Sequence, residues 1–70
     1  MQEQRAEPSK ERLAIDAFNE GRKHYMRGDF DNAVERYTEA IRMNPEYTEA
    51  FYERGLCHNL LADEDQARAD

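Results

Sequence analysis

Seventy residues allow one small domain at most, and folding them costs on the order of 100 kcal/mol of conformational entropy at ~1.5 kcal/mol per ordered residue, against which so short a chain buries little core. A net charge of -6, with ten basic residues interspersed among sixteen acids, argues against nucleic acid or an anionic membrane as partner, because phosphates are bound by clustered Lys and Arg. No apolar run approaches the length of about 18 residues that spans a membrane, MQEQRAEPSKER is too charged for a secretory signal, and a single cysteine, Cys57, excludes an internal disulfide.

A lone cysteine fits a reducing compartment, so a cytoplasmic location is expected. Residues 1 to 8 are polar, offer no apolar stripe and are expected to be a disordered lead. Ser9 is placed to cap a first helix in which Leu13, Ala14, Ala17, Phe18, Gly21 and Tyr25 recur every three or four residues, the spacing of one buried face. Gly28 can take the left-handed conformation that closes that helix, and Asp29 can accept the first free amide protons of the next.

Phe30, Ala33, Val34, Tyr37, Ala40 and Ile41 then form the clearest amphipathic pattern in the chain, with Glu35, Arg36, Glu39 and Arg42 on the solvated side. Pro45 cannot continue a helix and biases Asn44 toward extended angles, which specifies a turn. A third helix is expected over roughly residues 48 to 61. It carries Ala50, Phe51, Arg54, Cys57, His58 and Leu61 on one side and Tyr52, Leu56 and Leu60 on another, so it needs a neighbour on each. Asp63, answered by Gln66, reads as the cap of a fourth helix that seven residues are too few to stabilise.

Sliding the sequence by 34 residues superposes Phe18 on Tyr52, Gly21 on Gly55, His24 on His58, Asp29 on Asp63, Asp31 on Asp65 and Ala33 on Ala67. Small residues held at fixed places are what two closely approaching helices require. A helix-turn-helix period of this length, with Gly21, Ala33, Tyr37, Ala40 and Pro45 at set spacing and Phe51, Gly55 and Ala67 partly repeating them, resembles the tetratricopeptide repeat (TPR). The sequence departs from the family pattern at Ala17, Glu20, His24, His58 and Glu64. The resemblance implies an all-α, TPR-like helical-hairpin solenoid fragment, with a first hairpin over residues 9 to 47 and a second unit over 48 to 70, truncated in its second helix.

The resemblance further implies a non-catalytic module that binds a protein or peptide, as part of a scaffold or co-chaperone-like adaptor, because stacked repeats expose a concave groove lined by the first helix of each unit. The groove positions of the family match Phe18, Arg22, Tyr25 and Met26 in the first unit and Tyr52, Glu53, Leu56 and Asn59 in the second. Such a mixture of aromatic, apolar and charged groups suits an extended peptide or a helix with apolar anchors. The co-chaperones that grip the C-terminal carboxylate of Hsp70 and Hsp90 use a Lys and two Asn, where this chain has Arg22, Phe18 and Glu53; Phe18 supplies no donor and Glu53 repels a carboxylate.

Enzyme chemistry finds no footing in the residues. There is no Gly-rich phosphate loop, nucleophile elbow or serine triad, and no cofactor is expected. His24, His58 and Cys57 lack the spacing of metal ligands, and the repeat explains both histidines as interhelical packing groups, so no metal is expected either. The acidic pairs Asp29 with Asp31 and Glu64 with Asp65 read as helix caps. Phe51, Cys57 and Leu61 are expected to form an open apolar face on the third helix; either the chain is a piece of a longer TPR-like protein, which is the favoured expectation, or a second copy covers that face as a homodimer.

Overall fold

The computed structural model describes residues 9–69, so the expected disordered lead, residues 1 to 8, lies outside the described residues. Three helices follow in chain order: α1 over Lys10–Met26, α2 over Phe30–Met43 and α3 over Thr48–Ala69. No strand occurs among the described residues.

Local chemistry explains most of the helix ends. The Ser9 hydroxyl accepts the Arg12 amide proton at 3.1 Å, satisfying one of the free donors at the start of α1. Gly28 closes α1 at φ 79, in the left-handed region that costs a side-chain-bearing residue about 1 kcal/mol or more. Its amide donates to the Tyr25 carbonyl at 3.0 Å and the Asp29 amide to the His24 carbonyl at 2.9 Å, the paired bonds of a Schellman motif.

Asp29 stands at the start of α2, but its side chain does not cap the helix as expected. The carboxylate instead accepts from the Asn32 side-chain amide at 2.8 Å and lies 3.3 Å from His24 Nδ1. That approach is not aligned for donation, and His24 Nδ1 is left buried with no hydrogen-bond partner among the described residues. The Asn32 amide is the main reason the Asp29 carboxyl sits below the ordinary carboxylate range, with the neighbouring imidazole adding to it.

At the far end of α2, Asn44 is extended ahead of Pro45. Its side-chain oxygen accepts the Glu46 amide at 3.1 Å and its carbonyl the Tyr47 amide at 3.0 Å. The Tyr47 carbonyl then receives the amides of Ala50 at 3.1 Å and Phe51 at 3.2 Å, which starts α3.

The expected break at Asp63 is absent. α3 is one helix through Ala69, so no separate fourth helix begins in the second unit and residues 62 to 69 prolong the third. The 34-residue offset that places Asp63 on Asp29 also places Ala62 on Gly28. Alanine is the best helix former and resists the left-handed angles that Gly28 adopts, so the backbone continues where the first unit turns.

α2 packs between α1 and α3. The core holds Ala14, Ala17, Phe18, Ala33, Tyr37, Ala40, Ala50 and Cys57, and its largest fully enclosed side chains are Tyr37 and Cys57. The inner faces read from the spacing of α1 and α2 are the ones that pack, except at Leu13, which is exposed near the start of α1, with Tyr25, Phe30, Val34 and Ile41 half-buried at the margin. One contact sets the α1–α2 distance: a methyl group at Gly21 would stand 2.6 Å from the Tyr37 ring edge. A bare backbone at Gly21 is what lets the ring lie flush against α1.

Candidate functional site

The groove positions divide when placed on the fold. Phe18 is not a groove residue: it is 7% exposed, with its ring 5.5 Å from that of Tyr37 and 5.0 Å from that of Tyr47. Its place on the inner stripe of α1 draws it under α2 and into the aromatic stack that joins the hairpin to the following turn. Tyr25 is half-buried, its ring 5.7 Å from Phe30 across the α1–α2 turn, and serves packing at least as much as display.

Arg22 and Asn59 are exposed, Leu56 is half-buried, and Tyr52 is 66% exposed. Met26, at 77%, is the most exposed large apolar side chain of the chain's described residues. Glu53 is half-buried because it is already engaged: its carboxylate accepts the Tyr37 hydroxyl at 3.3 Å. Tyr37 thus reaches across α2 from the Gly21 notch on one side to α3 on the other.

Burial, then the carboxylate of Glu53 and the thiol of Cys57, push the Tyr37 phenol up, while the Arg22 guanidinium pulls it down. Arg22 from α1 and Glu53 from α3 therefore both lie within electrostatic reach of the Tyr37 phenol in the middle of α2. Tyr52 precedes Glu53 on α3, and Leu56 follows it by three residues. The enclosed phenol and its carboxylate partner serve packing; what remains for a ligand is the exposed Arg22, Tyr52 and Asn59 and the half-buried Leu56.

The expected self-association face also divides. Cys57 is fully buried between helices, and burial followed by the charge of Glu53 raises its thiol, so it belongs to the core. It sits one turn from Glu53 on the side of α3 that meets α2. Leu61 is half-buried, and Phe51 is 44% exposed with the Arg54 guanidinium 5.4 Å above its ring centre.

Arg54, which the sequence placed on an inner face without a role, also donates to the Thr38 hydroxyl at 3.1 Å and ties α3 to α2. With Glu53 on Tyr37, this makes two polar ties from neighbouring residues of α3 to neighbouring residues of α2. Only the antiparallel pairing of α2 and α3 makes that signal visible. His58 is exposed rather than an interhelical packing group, unlike its repeat counterpart His24. Among the described residues, no three His, Cys, Asp or Glu side chains come together in a way that could hold a metal ion.

An open cleft of about 330 Å³ lies elsewhere, on α2, lined by Val34, Thr38, Glu39 and Arg42 among others. Its charges are mixed, and Arg36 beside it is paired with Glu39 at 2.8 Å.

A family model for the TPR repeat matches residues 21–60, from the Gly21 notch through α2 and most of α3. The chain belongs to the TPR repeat family. No solved structure matches it at a significant level. The match begins inside α1, covers α2 and ends within α3 before Ala62, where α3 continues without a turn. TPR units serve in general as protein-interaction modules rather than catalysts. No helix is long and apolar enough to cross a membrane among the described residues.

Proposed function

We propose that this TPR segment binds an extended peptide or a short helix of a partner protein along the groove between α1 and α3, as part of a cytoplasmic scaffold or adaptor. The observation that carries the reading is the set of side chains that α1 and α3 present to solvent: Arg22 and Asn59 are exposed, Tyr52 is 66% exposed and Leu56 is half-buried. A cation and a side-chain amide beside apolar anchors favour a ligand that brings both polar groups and a large side chain.

The binding residues are Arg22, Tyr52, Leu56 and Asn59, with Tyr25 at the margin. Glu53 acts by tying α3 to α2, since its carboxylate is spent on Tyr37. A chaperone-tail clamp has less support: Arg22 is the one cation offered and Glu53 opposes a ligand carboxylate. Self-association through Phe51, Cys57 and Leu61 also has less support, because Cys57 is enclosed and the three residues do not share one open face.

The test is selection of peptides from a displayed random library on the intact chain, followed by affinity measurements on Arg22→Ala/Tyr52→Ala. Both side chains are exposed, so helicity should stay unchanged while affinity for the selected peptides falls at least about tenfold, roughly 1.4 kcal/mol. Equal affinity in the double variant would remove the groove as the binding surface.

A further inference from the structure

The end of α1 gathers cations in a chain that is acidic as a whole. Residues 21 to 28, GRKHYMRG, hold Arg22, Lys23, His24 and Arg27 and no acid, whereas the net charge of the chain is -6. Arg22, Lys23 and Arg27 are exposed, and Met26 among them is 77% exposed, with Arg22 and Lys23 one turn before it and Arg27 next to it in the chain. Neither Arg22 nor Arg27 makes an ion pair among the described residues. The acids that border the stretch are engaged, Glu20 with Lys23 at 3.4 Å and Asp29 with the Asn32 side-chain amide at 2.8 Å.

Neither capping nor packing asks for this combination. Cations in a last turn offset the partial negative charge of a helix end, but a methionine facing water adds nothing to that. The repeat does not ask for it either: 34 residues on, the places of Arg22, Lys23, Met26 and Arg27 are taken by Leu56, Cys57, Leu60 and Leu61. The buried stripe of α1 ends in Phe18 and Gly21, and Arg22 and Met26 lie beside it on an exposed stripe, one turn apart. A flexible thioether among cations complements a ligand that sets a large apolar side chain among carboxylates.

We propose that the corner formed by Arg22, Met26 and Arg27 takes an acidic segment of a partner protein, with a large apolar side chain against Met26 and side-chain carboxylates on Arg22 and Arg27. This rests on the reading of the chain as a peptide-binding module and names the class of peptide. The charges required are side chains within the segment, not a chain end. An anionic membrane fits the corner less well, because all sixteen acids of so small a chain lie outside residues 21 to 28 and would be held near the same charged surface.

The experiment uses the whole chain and, as probe, a fluorescein-labelled, C-terminally amidated peptide of four Glu-Asp-Leu repeats, read by anisotropy. A Gln-Asn-Leu analogue of the same length should bind at least about tenfold more weakly. The affinity of the acidic probe should also fall at least about tenfold between about 0.01 M and about 0.15 M salt, as the screening length drops from about 30 Å to about 8 Å. Met26→Ser and Arg22→Gln/Arg27→Gln should each weaken the acidic probe at least about tenfold with helicity and thermal midpoint unchanged, because all three side chains are exposed.

Equal binding of the two peptides, or binding that both variants leave intact, would overturn the proposal. Failure of the acidic probe to bind at millimolar concentration would overturn it too, and library peptides that lack acids and bind through Tyr52 would then leave the groove reading standing. Probe binding that depends on Met26 and Arg27 but survives Tyr52→Ala would uphold the corner and take the α3 wall of the groove out of it. Vesicles of phosphatidylserine that hold the chain through Met26 when the probe does not bind would overturn it in favour of an anionic membrane. Self-association by sedimentation equilibrium that Met26→Ser abolishes would overturn it in favour of a second copy, whose own acidic stretch is Asp63 to Asp65.

Discussion

Single positions here take their meaning from what stands opposite them. Gly21 and Gly55 occupy the same place in the repeat, yet one is under an aromatic ring and the other faces open space. Gly21→Ala should cost about 1–2 kcal/mol in urea unfolding, because overpacking against Tyr37 outweighs the gain in helix propensity. A stabilised Gly21→Ala protein would mean that the ring is free to move aside. Phe18 shows the same dependence: a first-helix position expected to meet a ligand is enclosed between Tyr37 and Tyr47. Phe18→Ala should therefore lower stability by about 3–5 kcal/mol, a loss read in denaturant melts, whereas a groove residue would lose binding and keep its midpoint.

At the scale of elements, the helix ends record which signals outweigh others. Ser9 and Gly28 act as their residue types suggest, one accepting a free amide and the other taking angles that alanine resists. Asp63 and Gln66 form a capping pair by spacing alone, but the residue before them is Ala62, and a cap cannot act where the preceding backbone stays helical. Ala62→Gly should weaken the run by about 1 kcal/mol in propensity and ease the left-handed turn by a similar amount. Amide exchange of residues 63 to 69 should then quicken severalfold while that of α2 is unchanged. Unaltered protection of those residues would show that something other than Ala62 keeps α3 straight.

For the molecule as a whole, the alkaline limit of stability follows from its core. Burial raises the Tyr37 phenol first and most, raises Tyr47, and raises the Cys57 thiol, with Glu53 adding to Tyr37 and Cys57. Each group binds its proton more tightly in the folded chain than in the unfolded one. Their contribution is therefore fully present below the ordinary values of 9.0 for the thiol and 10.0 for the phenols, and is lost as pH climbs through the raised folded values. Thermal midpoints should decline from about pH 9 upward. Tyr37→Phe, which removes the most shifted group, should flatten the decline above about pH 10; an unchanged slope would show that the loss comes from elsewhere.

Periodicity alone determined that the chain is helical, where α1 and α2 lie, which of their faces turn inward and where the two turns fall, because glycine, proline and a 3.6-residue stripe act locally on the backbone. The 34-residue offset likewise made the TPR repeat legible from Gly21, Gly55, Ala33 and Ala67 without any coordinates. The full enclosure of Cys57, the commitment of Glu53 to Tyr37 and the tie from Arg54 to Thr38 were decided only by how α2 sits between its neighbours. So was the open face around Gly55. A sequence specifies the faces a helix owns, but which of them finds a partner depends on distances between segments that no local pattern carries.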